Sequence, residues 1–398
     1  MKRDRPAVAP LHSGAVPGVA SHAGSAIPFN KPFVSGKEYD YIREAIANGH
    51  ISGDGSFTRR CQAILEETLG CRKALLTTSC SDALELSALL LDLQPGDEFI
   101  VPSFTFVSTA NAFALRGAVP RFVDIRSDTL NLDENRIAEL ISGKTRLIVP
   151  VHYAGVGCEM DRILEVADRR GLAVVEDNAH GLFGRYRGRN LGTFGQLATL
   201  SFHETKNISC GEGGALLINN PEFTDRAEVL REKGTNRSRF FRGLVDKYSW
   251  VDLGSSFLPS DLLAAFLFAQ LEAREAIQTA RERIWYRYRA GLAPWAAPAG
   301  VRTPFVPPHC DQTYHIFYLI LPSGQARDAL IAHLKSRAIH SVFHYLPLHL
   351  SVMGRKAPKA DCPVTVDISD RLVRLPFYNG LSPADQDRVI EAILCFQP

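Results

Sequence analysis

The stretch TRLIVPVHYAGVGCEMDRILEVADRRGLAVVED, residues 145–177, holds two short apolar runs on either side of a helical segment. The runs are TRLIVPVH and LAVVED, and both are largely apolar, as is typical of strands buried on both faces of a sheet. The segment between them, EMDRILEVADRRG, has the composition of a helix. Two such strands joined by a helix predict a pair of parallel strands in an α/β sheet.

The same alternation continues in both directions along the chain. Further strand-like runs are EFIVP, PRFVDI and LATLSF, and further helical segments are GKEYDYIREAIANG, SDALELSALLLDL, TANAFALRG and NRIAELISG. The sequence therefore predicts that residues 27–260 form a large α/β domain, with a mainly parallel sheet flanked by helices.

The two ends of the chain differ from this pattern. Residues 1–26 are interrupted by Pro, Gly, Ser and His, lack the apolar core of a signal peptide, and are predicted to form a flexible extension. Residues 261–398 start with one long or broken helix, and then give a strand (YHIFYLIL), a helix (ARDALIAHLKSRA), a strand-like run (HSVFHYLPLH) and a last helix (PADQDRVIEAILCF). This order predicts a linking helix and a smaller C-terminal α+β domain.

Composition narrows the possible functions. The 398 residues carry a net charge of +2 without a block of like charges, which argues against nucleic acid as the main partner. There is no run of about 18 apolar residues, so no membrane-spanning helix is expected. The eight cysteines are scattered without a C-x-x-C pair. We therefore expect neither a metal site nor a disulfide framework, but reduced thiols in a cytoplasmic protein.

Polar residues stand where several predicted strands end. Asp177 ends LAVVED, Ser201 ends LATLSF, and TTSCSD, which contains Ser81, precedes a helix. Lys206 follows Ser201 in the loop SFHETKN. Because ligands bind at the carboxyl ends of strands in open α/β sheets, these side chains are expected to converge on one pocket.

Together these groups fit one cofactor. The helix start near Ser81 suits a phosphate, an acid such as Asp177 can pair with a protonated ring nitrogen, and Lys206 can form a Schiff base with an aldehyde. The sequence therefore predicts a site for pyridoxal 5'-phosphate. Each residue alone also has a structural interpretation: Asp177 or Ser81 as a helix N-cap, Lys206 as a solvated lysine, and Phe106 as a core residue. His180 could likewise be an ordinary, partly buried histidine.

A series of motifs covers the chain from about residue 27 to its C-terminus. They are PGDEFIVPSFTFVSTANAF, VPVHYAG, VVEDNAHG, SFHETKN, GEGGALLIN and VFHYLPLH. In this order they resemble the DegT-type sugar-nucleotide aminotransferases, which are fold-type I pyridoxal-phosphate enzymes. The resemblance makes Lys206 the Schiff-base lysine and proton shuttle, and Asp177 the partner of the pyridine nitrogen. It places His180 on the ring hydroxyl and Phe106 on the ring face, and assigns the phosphate to Ser81, Asp82 and Ser201.

The resemblance also has implications for assembly and substrate. Asn236 would reach the phosphate from the neighbouring subunit, so a homodimer with its active site at the interface is implied. His344 and Tyr345 would lie near the sugar. This chain differs from many family members at two places. Many members have glutamine at the position of His180, and many have NGT where this chain has SCS at residues 79–81.

The implied reaction is transamination of a nucleotide-linked 4-keto-6-deoxy sugar, dTDP-4-keto-6-deoxyglucose, with L-glutamate as amino donor. Such amino sugars enter lipopolysaccharide O-antigen, common antigen and glycosylated metabolites. The alternatives are another nucleotide or amination at C3, and a non-catalytic regulatory or binding protein that kept the fold. A related sugar dehydratase would have histidine in place of Lys206.

Overall fold

The computed structural model describes residues 26–397, so most of the predicted N-terminal extension lies outside the described residues. The described chain contains twelve strands. In chain order they are β1 (Lys73–Thr77), β2 (Glu98–Pro102), β3 (Val119–Val123), β4 (Thr145–Ile148), β5 (Ala173–Asp177), β6 (Arg185–Tyr186), β7 (Arg189–Asn190), β8 (Leu197–Ser201), β9 (Gly214–Ile218), β10 (Cys310–Asp311), β11 (Tyr318–Ile320) and β12 (Leu372–Arg374).

The same residues form thirteen α-helices. In chain order they are α1 (Glu38–Ala47), α2 (Ser56–Leu69), α3 (Cys80–Leu90), α4 (Val107–Ala114), α5 (Ile137–Leu140), α6 (Met160–Arg170), α7 (Thr224–Arg231), α8 (Arg237–Phe241), α9 (Asp261–Glu272), α10 (Arg274–Ala296), α11 (Gly324–Ser336), α12 (Pro363–Arg371) and α13 (Pro383–Leu394).

Seven strands form the central sheet in the order β1-β9-β8-β5-β4-β2-β3. Strands β8, β5, β4, β2 and β3 pair in parallel, and β9 pairs antiparallel with both β1 and β8. Strand β9 thus runs against the other six. The carboxyl ends of these six strands meet at one edge of the sheet, and that edge carries the site described below.

Both faces of the sheet are buried, because successive side chains of a strand point to opposite sides. In β9, Leu216 packs with helices α3 and α7, whereas Leu217 packs with α2 and α9 on the other face. In β4 and β5, Ile148 and Val174 pack with α6. Burial on both faces accounts for the nearly continuous apolar runs of these strands.

A separate core lies in the C-terminal part of the chain, where α10, α11 and α13 pack around β11 and β12. The start of the described chain joins this core, because Ile27 is 1% exposed within it and forms a β-bridge to Ile339. Two residues on, the carbonyl of Phe29 accepts a hydrogen bond from the Phe377 N–H at 3.1 Å. The start of the described chain is therefore held against the C-terminal core.

The predicted α/β class, with a mainly parallel sheet flanked by helices, is confirmed. The long helical segment is broken at Ala273, between α9 and α10. The strand-like run HSVFHYLPLH is not a strand. Apart from a single bridge between Val342 and Arg374 it is irregular, and it ends in a 3-10 turn at Leu348–Leu350. The domain boundary at residues 260/261 remains a proposal. Helix α9 follows this boundary, yet it packs mainly against α1 and α2, which lie in the predicted large domain.

All eight cysteines are free, which confirms the expectation of unpaired thiols. Within residues 26–397, no helix combines the length and the hydropathy that a membrane span requires. The same residues contain no cluster of three or more His, Cys, Asp or Glu side chains with the spacing of a metal site.

Candidate active site

A cavity of about 650 Å³ opens at the edge of the central sheet where β1, β5 and β8 end. Its walls are formed by residues of the sheet edge, by Phe29 near the start of the described chain, and by His344 and Arg374 in the C-terminal part. Eight of the ten predicted site residues line this cavity, and they are Ser81, Phe106, Asp177, His180, Ser201, Lys206, His344 and Tyr345.

One wall of the cavity is the start of helix α3. Ser79 is the N-cap, and its Oγ accepts the N–H of Asp82 at 3.0 Å. In the described part of the chain no partner is seen for the N–H groups of Cys80 and Ser81. Two free N–H groups and the positive end of the helix dipole make a site for a phosphate. The helix can lie this close to β9 because Gly214 has no side chain. A Cβ at this position would come within 2.4 Å of the Ser79 backbone.

Asp177 lies at the end of β5 and is 5% exposed. One carboxylate oxygen accepts the Thr109 hydroxyl at 2.7 Å, and the other accepts the Ala179 N–H at 3.1 Å. Among the described residues no cation lies within 4.0 Å of this carboxylate. No helix begins at Asp177, so the helix N-cap interpretation is wrong. A buried carboxylate without a cation favours a protonated nitrogen beside it.

Lys206 lies in the loop between β8 and β9, where its backbone N–H donates to the carbonyl of His203 at 2.9 Å. The residue is half-buried and its side chain lines the cavity. Burial lowers the pKa of Lys206 from 10.5 to about 8, although the nearby Cys80 and Asp177 oppose the shift. A lysine with this pKa has a substantial neutral fraction near neutral pH, as covalent capture of an aldehyde requires.

The depressed pKa of Lys206 predicts the pH dependence of cofactor capture. Below pH 8 the neutral fraction of the amine falls about tenfold for each pH unit, and above pH 8 it approaches one. The second-order rate of pyridoxal-phosphate capture by the cofactor-free protein should rise up to about pH 8 and then level off. Stopped-flow absorbance between pH 6 and 10 measures this rate. A rate that still rises through pH 10 would show an unperturbed lysine.

The tautomer of His180 follows from its hydrogen bonds. Burial and the nearby Lys206 charge lower the pKa of His180 well below 6.5, so its ring is neutral. Its Nδ1 accepts the N–H of Ala154 at 3.3 Å, which leaves the proton on Nε2, 3.3 Å from the hydroxyl of Tyr345. His180 therefore presents an N–H donor on the cavity side, as a contact to a ring oxygen requires.

Aromatic rings form another part of the cavity wall. Phe106 is 58% exposed although it borders a cavity, so it is not a core residue. The rings of His344 and Tyr345 stack with centroids 3.7 Å apart, and His344 Nδ1 lies 2.7 Å from the hydroxyl of Tyr153. These contacts hold the irregular segment that contains His344 and Tyr345 against the sheet. Exposed aromatic faces of this kind are available for a planar ligand.

Two predicted residues lie outside the cavity lining. The Asp82 side chain accepts a hydrogen bond from the Thr78 hydroxyl, and the Asp82 N–H donates to Ser79 Oγ, so in this structure neither group is free to contact a phosphate. Asn236 stands before α8, and its Oδ1 accepts the N–H of Ser249 at 2.8 Å. Its contact to a phosphate across subunits, like the roles of the other nine residues, remains a proposal.

Sequence patterns did not single out three residues that the fold brings to this site. Thr109 orients Asp177, and it belongs to the quoted motif FVSTANAF. His315 stacks on His180 with centroids 4.2 Å apart, and its Nδ1 lies 2.9 Å from Oδ1 of Asn207, the neighbour of Lys206. Arg374 lines the cavity from β12. Only the folded chain brings these distant residues to Asp177 and Lys206.

The residues present fit pyridoxal phosphate, because a phosphate site, an unpaired buried carboxylate and a lysine of lowered pKa face one cavity. When bound, this cofactor supplies an electron sink that stabilises negative charge on the carbon of an attached amine. The helix start at Cys80 and Ser81 would hold its phosphate, and Asp177 its ring nitrogen.

Comparisons with known proteins agree with this geometry. The sequence model of the DegT/DnrJ/EryC1/StrS aminotransferase family matches residues 34–394. The spore coat polysaccharide biosynthesis protein SpsC of Bacillus subtilis is 32% identical, over 92% of this chain and 96% of SpsC.

Two solved structures extend the likeness to the fold. The aminotransferase TlmJ from Streptoalloteichus hindustanus is 30% identical, with a TM-score of 0.85 over 92% of this chain and 97% of TlmJ. The candidate sugar aminotransferase Spr1654 from Streptococcus pneumoniae, in its PLP form, is 25% identical, with a TM-score of 0.85 over 92% of this chain and 97% of Spr1654. Spr1654 has also been solved in a PMP form.

Proposed function

The chain belongs to the DegT/DnrJ/EryC1/StrS aminotransferase family, and on this premise we propose that it transfers an amino group to a nucleotide-linked keto sugar. It is a pyridoxal-phosphate-dependent aminotransferase of fold type I. The observation that carries the proposal is the convergence of Lys206, Asp177 and the start of α3 on one cavity. A sugar acceptor is supported by SpsC, whose name places it in polysaccharide biosynthesis, and by Spr1654.

We propose that the acceptor is dTDP-4-keto-6-deoxyglucose and the donor L-glutamate, giving dTDP-4-amino-4,6-dideoxygalactose and 2-oxoglutarate. The support is the resemblance of three segments to dTDP-4-amino-4,6-dideoxygalactose transaminase, an enzyme of the enterobacterial common antigen pathway. The segments are SFHETKN, REKGTNRSRFFRGLVDKYSW and LPSDLLAAFLFAQLE. Another nucleotide, or amination at C3, is the alternative within the family.

We propose a role for each of these residues, supported by its position in the cavity lining. Lys206 Nζ would hold the cofactor covalently and, once free, would take the proton from the donor's Cα, a role that its lowered pKa favours. Asp177 would keep a proton on the cofactor's ring nitrogen, and the Thr109 hydroxyl holds the carboxylate in place. His180 would donate its Nε2 proton to the cofactor's ring oxygen, and Phe106 would cover the ring face. His344 and Tyr345 border the space left for the sugar.

A spectroscopic experiment tests both halves of the reaction. L-glutamate should bleach the visible absorption band of the cofactor-loaded protein, and dTDP-4-keto-6-deoxyglucose added next should restore the band. Bleaching without recovery would support the aminotransferase activity but reject this sugar as the acceptor. A sugar with a C3 ketone, or one linked to another nucleotide, would then be tested. An unchanged band with L-glutamate would reject this donor.

We propose that the active form is a homodimer with Asn236 completing the partner's site. Large hydrophobic side chains are exposed after Asn236, among them Phe241 at 71% and Trp250 at 76%. Soluble monomers rarely expose apolar side chains in such concentration. Sedimentation at micromolar concentration should therefore give twice the mass of one chain, and Trp250→Lys should shift the protein towards the monomer. A wild-type protein that sediments as a monomer would refute this assembly.

A further inference from the structure

A short segment between β10 and β11 connects two parts of the candidate active site. On one side, the Thr313 hydroxyl donates to the His180 carbonyl at 2.6 Å, and the His315 ring stacks on the His180 ring with centroids 4.2 Å apart. On the other side, the Asn207 side chain donates to the Thr313 carbonyl at 2.7 Å, and His315 Nδ1 lies 2.9 Å from Asn207 Oδ1. The segment therefore contacts both His180 and the neighbour of Lys206.

The side chain of His315 has a fixed tautomer. Asn207 Nδ2 donates to Gln278 Oε1 at 3.0 Å and to the Thr313 carbonyl, so Asn207 Oδ1 is an acceptor. Burial lowers the pKa of His315 well below 6.5, which keeps its ring neutral. The proton is therefore on Nδ1 and the lone pair on Nε2. His315 is 5% exposed and lines the cavity, and in the described chain its Nε2 has no hydrogen-bond partner. One hydrogen bond and one ring stack thus define how its ring is placed.

The backbone that carries His315 is held in a strained conformation. Tyr314 has a φ of +52°, in the left-handed region that bulky residues rarely adopt. Arg281 of α10, which is 3% exposed, donates to the carbonyls of Tyr314 at 3.1 Å and of His315 at 2.5 Å. Its Nη1 donates to Asn379 Oδ1 at 3.1 Å, and among residues 26–397 no carboxylate pairs with it. Strain of this kind persists only where the surrounding structure imposes it, and it clusters at functional sites.

The orientation of His180 depends on the stack with His315. The two hydrogen bonds of the His180 ring, with the Ala154 N–H and the Tyr345 hydroxyl, are both 3.3 Å long, beyond the usual range. The two imidazole planes differ by 29°, a nearly parallel arrangement. Without the second ring, the two long bonds would leave the His180 ring free to turn, and a turn would move its Nε2 proton.

From these contacts we propose that His315 is a positioning residue for transamination, which fixes His180 and Lys206 relative to each other. It acts on His180 through the ring stack and on Lys206 through Asn207. This inference rests on the proposed function, because it assumes the roles given there to His180 and Lys206. A displacement of about 1 Å at a reacting group can cost about 100-fold in rate, so a residue that touches no substrate can still control the reaction.

Two complementary substitutions separate the two contacts of His315. His315→Asn keeps an N–H donor for Asn207 but has no ring, whereas His315→Phe keeps a ring but has no donor. The pH midpoint of the visible band of the cofactor-loaded protein reports on His180, because a donor to the ring oxygen changes how the bound cofactor titrates. The second-order rate of pyridoxal-phosphate capture by the cofactor-free protein reports on Lys206.

The two variants should affect different measurements. His315→Asn should shift the pH midpoint of the band by about one pH unit, the usual spread of a titrating group among protein environments, and should capture the cofactor at the wild-type rate. His315→Phe should slow capture by about tenfold, less than the cost of a displacement of about 1 Å, and should keep the wild-type midpoint.

The control is His333→Asn. His333 also contacts a ring, that of Phe396 at 5.3 Å, and its Nε2 donates to the Ala392 carbonyl at 2.8 Å, but it lies outside the cavity lining. This variant should keep both wild-type values. If both His315 variants also kept them, the inference would be overturned. It would equally be overturned if each His315 variant changed both measurements in proportion to a loss of thermal stability, because His315 would then contribute only to packing.

The test is independent of the substrates. Neither measurement uses an amino donor or a sugar, so a wild type that failed to react with L-glutamate would refute the proposed donor. The separate effects of His315→Asn and His315→Phe would still support the positioning role.

Discussion

Replacing Lys206 with alanine should abolish turnover, with a loss in kcat of more than about 10⁴-fold, the upper end for a positioned acid–base group. The loss should be this large because the variant lacks both the covalent attachment of the cofactor and the amine that moves the proton. Borohydride reduction followed by peptide mass spectrometry measures the attachment. The wild type should show the reduced cofactor on the peptide that contains Lys206, and the variant should show none.

The control for this experiment is Lys144→Ala, which removes an exposed lysine just before β4, at the sheet edge away from the cavity. Circular dichroism of both variants separates loss of chemistry from loss of fold. If the Lys206 variant turned over at the wild-type rate, or if the label lay on another lysine, the assignment of Lys206 would be wrong. A regulatory protein that only binds its ligand would lose no binding in this variant.

Asp177→Asn should lower kcat by about 10²- to 10³-fold, the range found when one preorganised electrostatic group is removed. Asparagine keeps the size of the side chain and can still accept the Thr109 hydroxyl, but it carries no charge to hold a proton on the ring nitrogen. Covalent attachment through Lys206 should remain. The expected result is therefore a protein with a visible cofactor band that bleaches slowly with L-glutamate.

Single-turnover absorbance of the two half-reactions measures this loss. Both half-reactions should slow, because the ring nitrogen is used in each. The matched control is Asp168→Asn, an exposed position in α6 that changes the same charge away from the cavity. If Asp177→Asn reacted at the wild-type rate, the carboxylate would have no part in the chemistry. Its role would then be structural, as the acceptor of the Thr109 hydroxyl.

Sequence patterns predicted the strands that are marked by a continuous run of apolar residues. Five of the seven strands of the central sheet lie in the quoted apolar runs, because a strand buried on both faces needs apolar residues throughout. Strands β1 and β9 were not predicted. Strand β9 starts inside the glycine cluster GEGGALLIN, which has the composition of a loop.

The run HSVFHYLPLH was predicted wrongly for a physical reason. Its aromatic and β-branched residues have the composition of a strand, yet they are used to contact the cavity and the rings around it. The site itself was predictable where residues follow strand ends, as with Asp177 and Ser201. Thr109, His315 and Arg374 come from other parts of the chain, and their proximity depends on tertiary contacts that periodicity does not encode.

The contact of Ile27 and Phe29 with the C-terminal core has a consequence for biosynthesis on the ribosome. Ile27 and Phe29 are translated more than 300 residues before their partners Ile339 and Phe377. The wall that holds Phe29 against Arg374 therefore cannot close before Arg374 has left the exit tunnel. A nascent chain that carries Lys206 and Asp177 but not yet Arg374 has two residues of the cavity lining without the finished cavity, so the site is completed only when the C-terminal core folds.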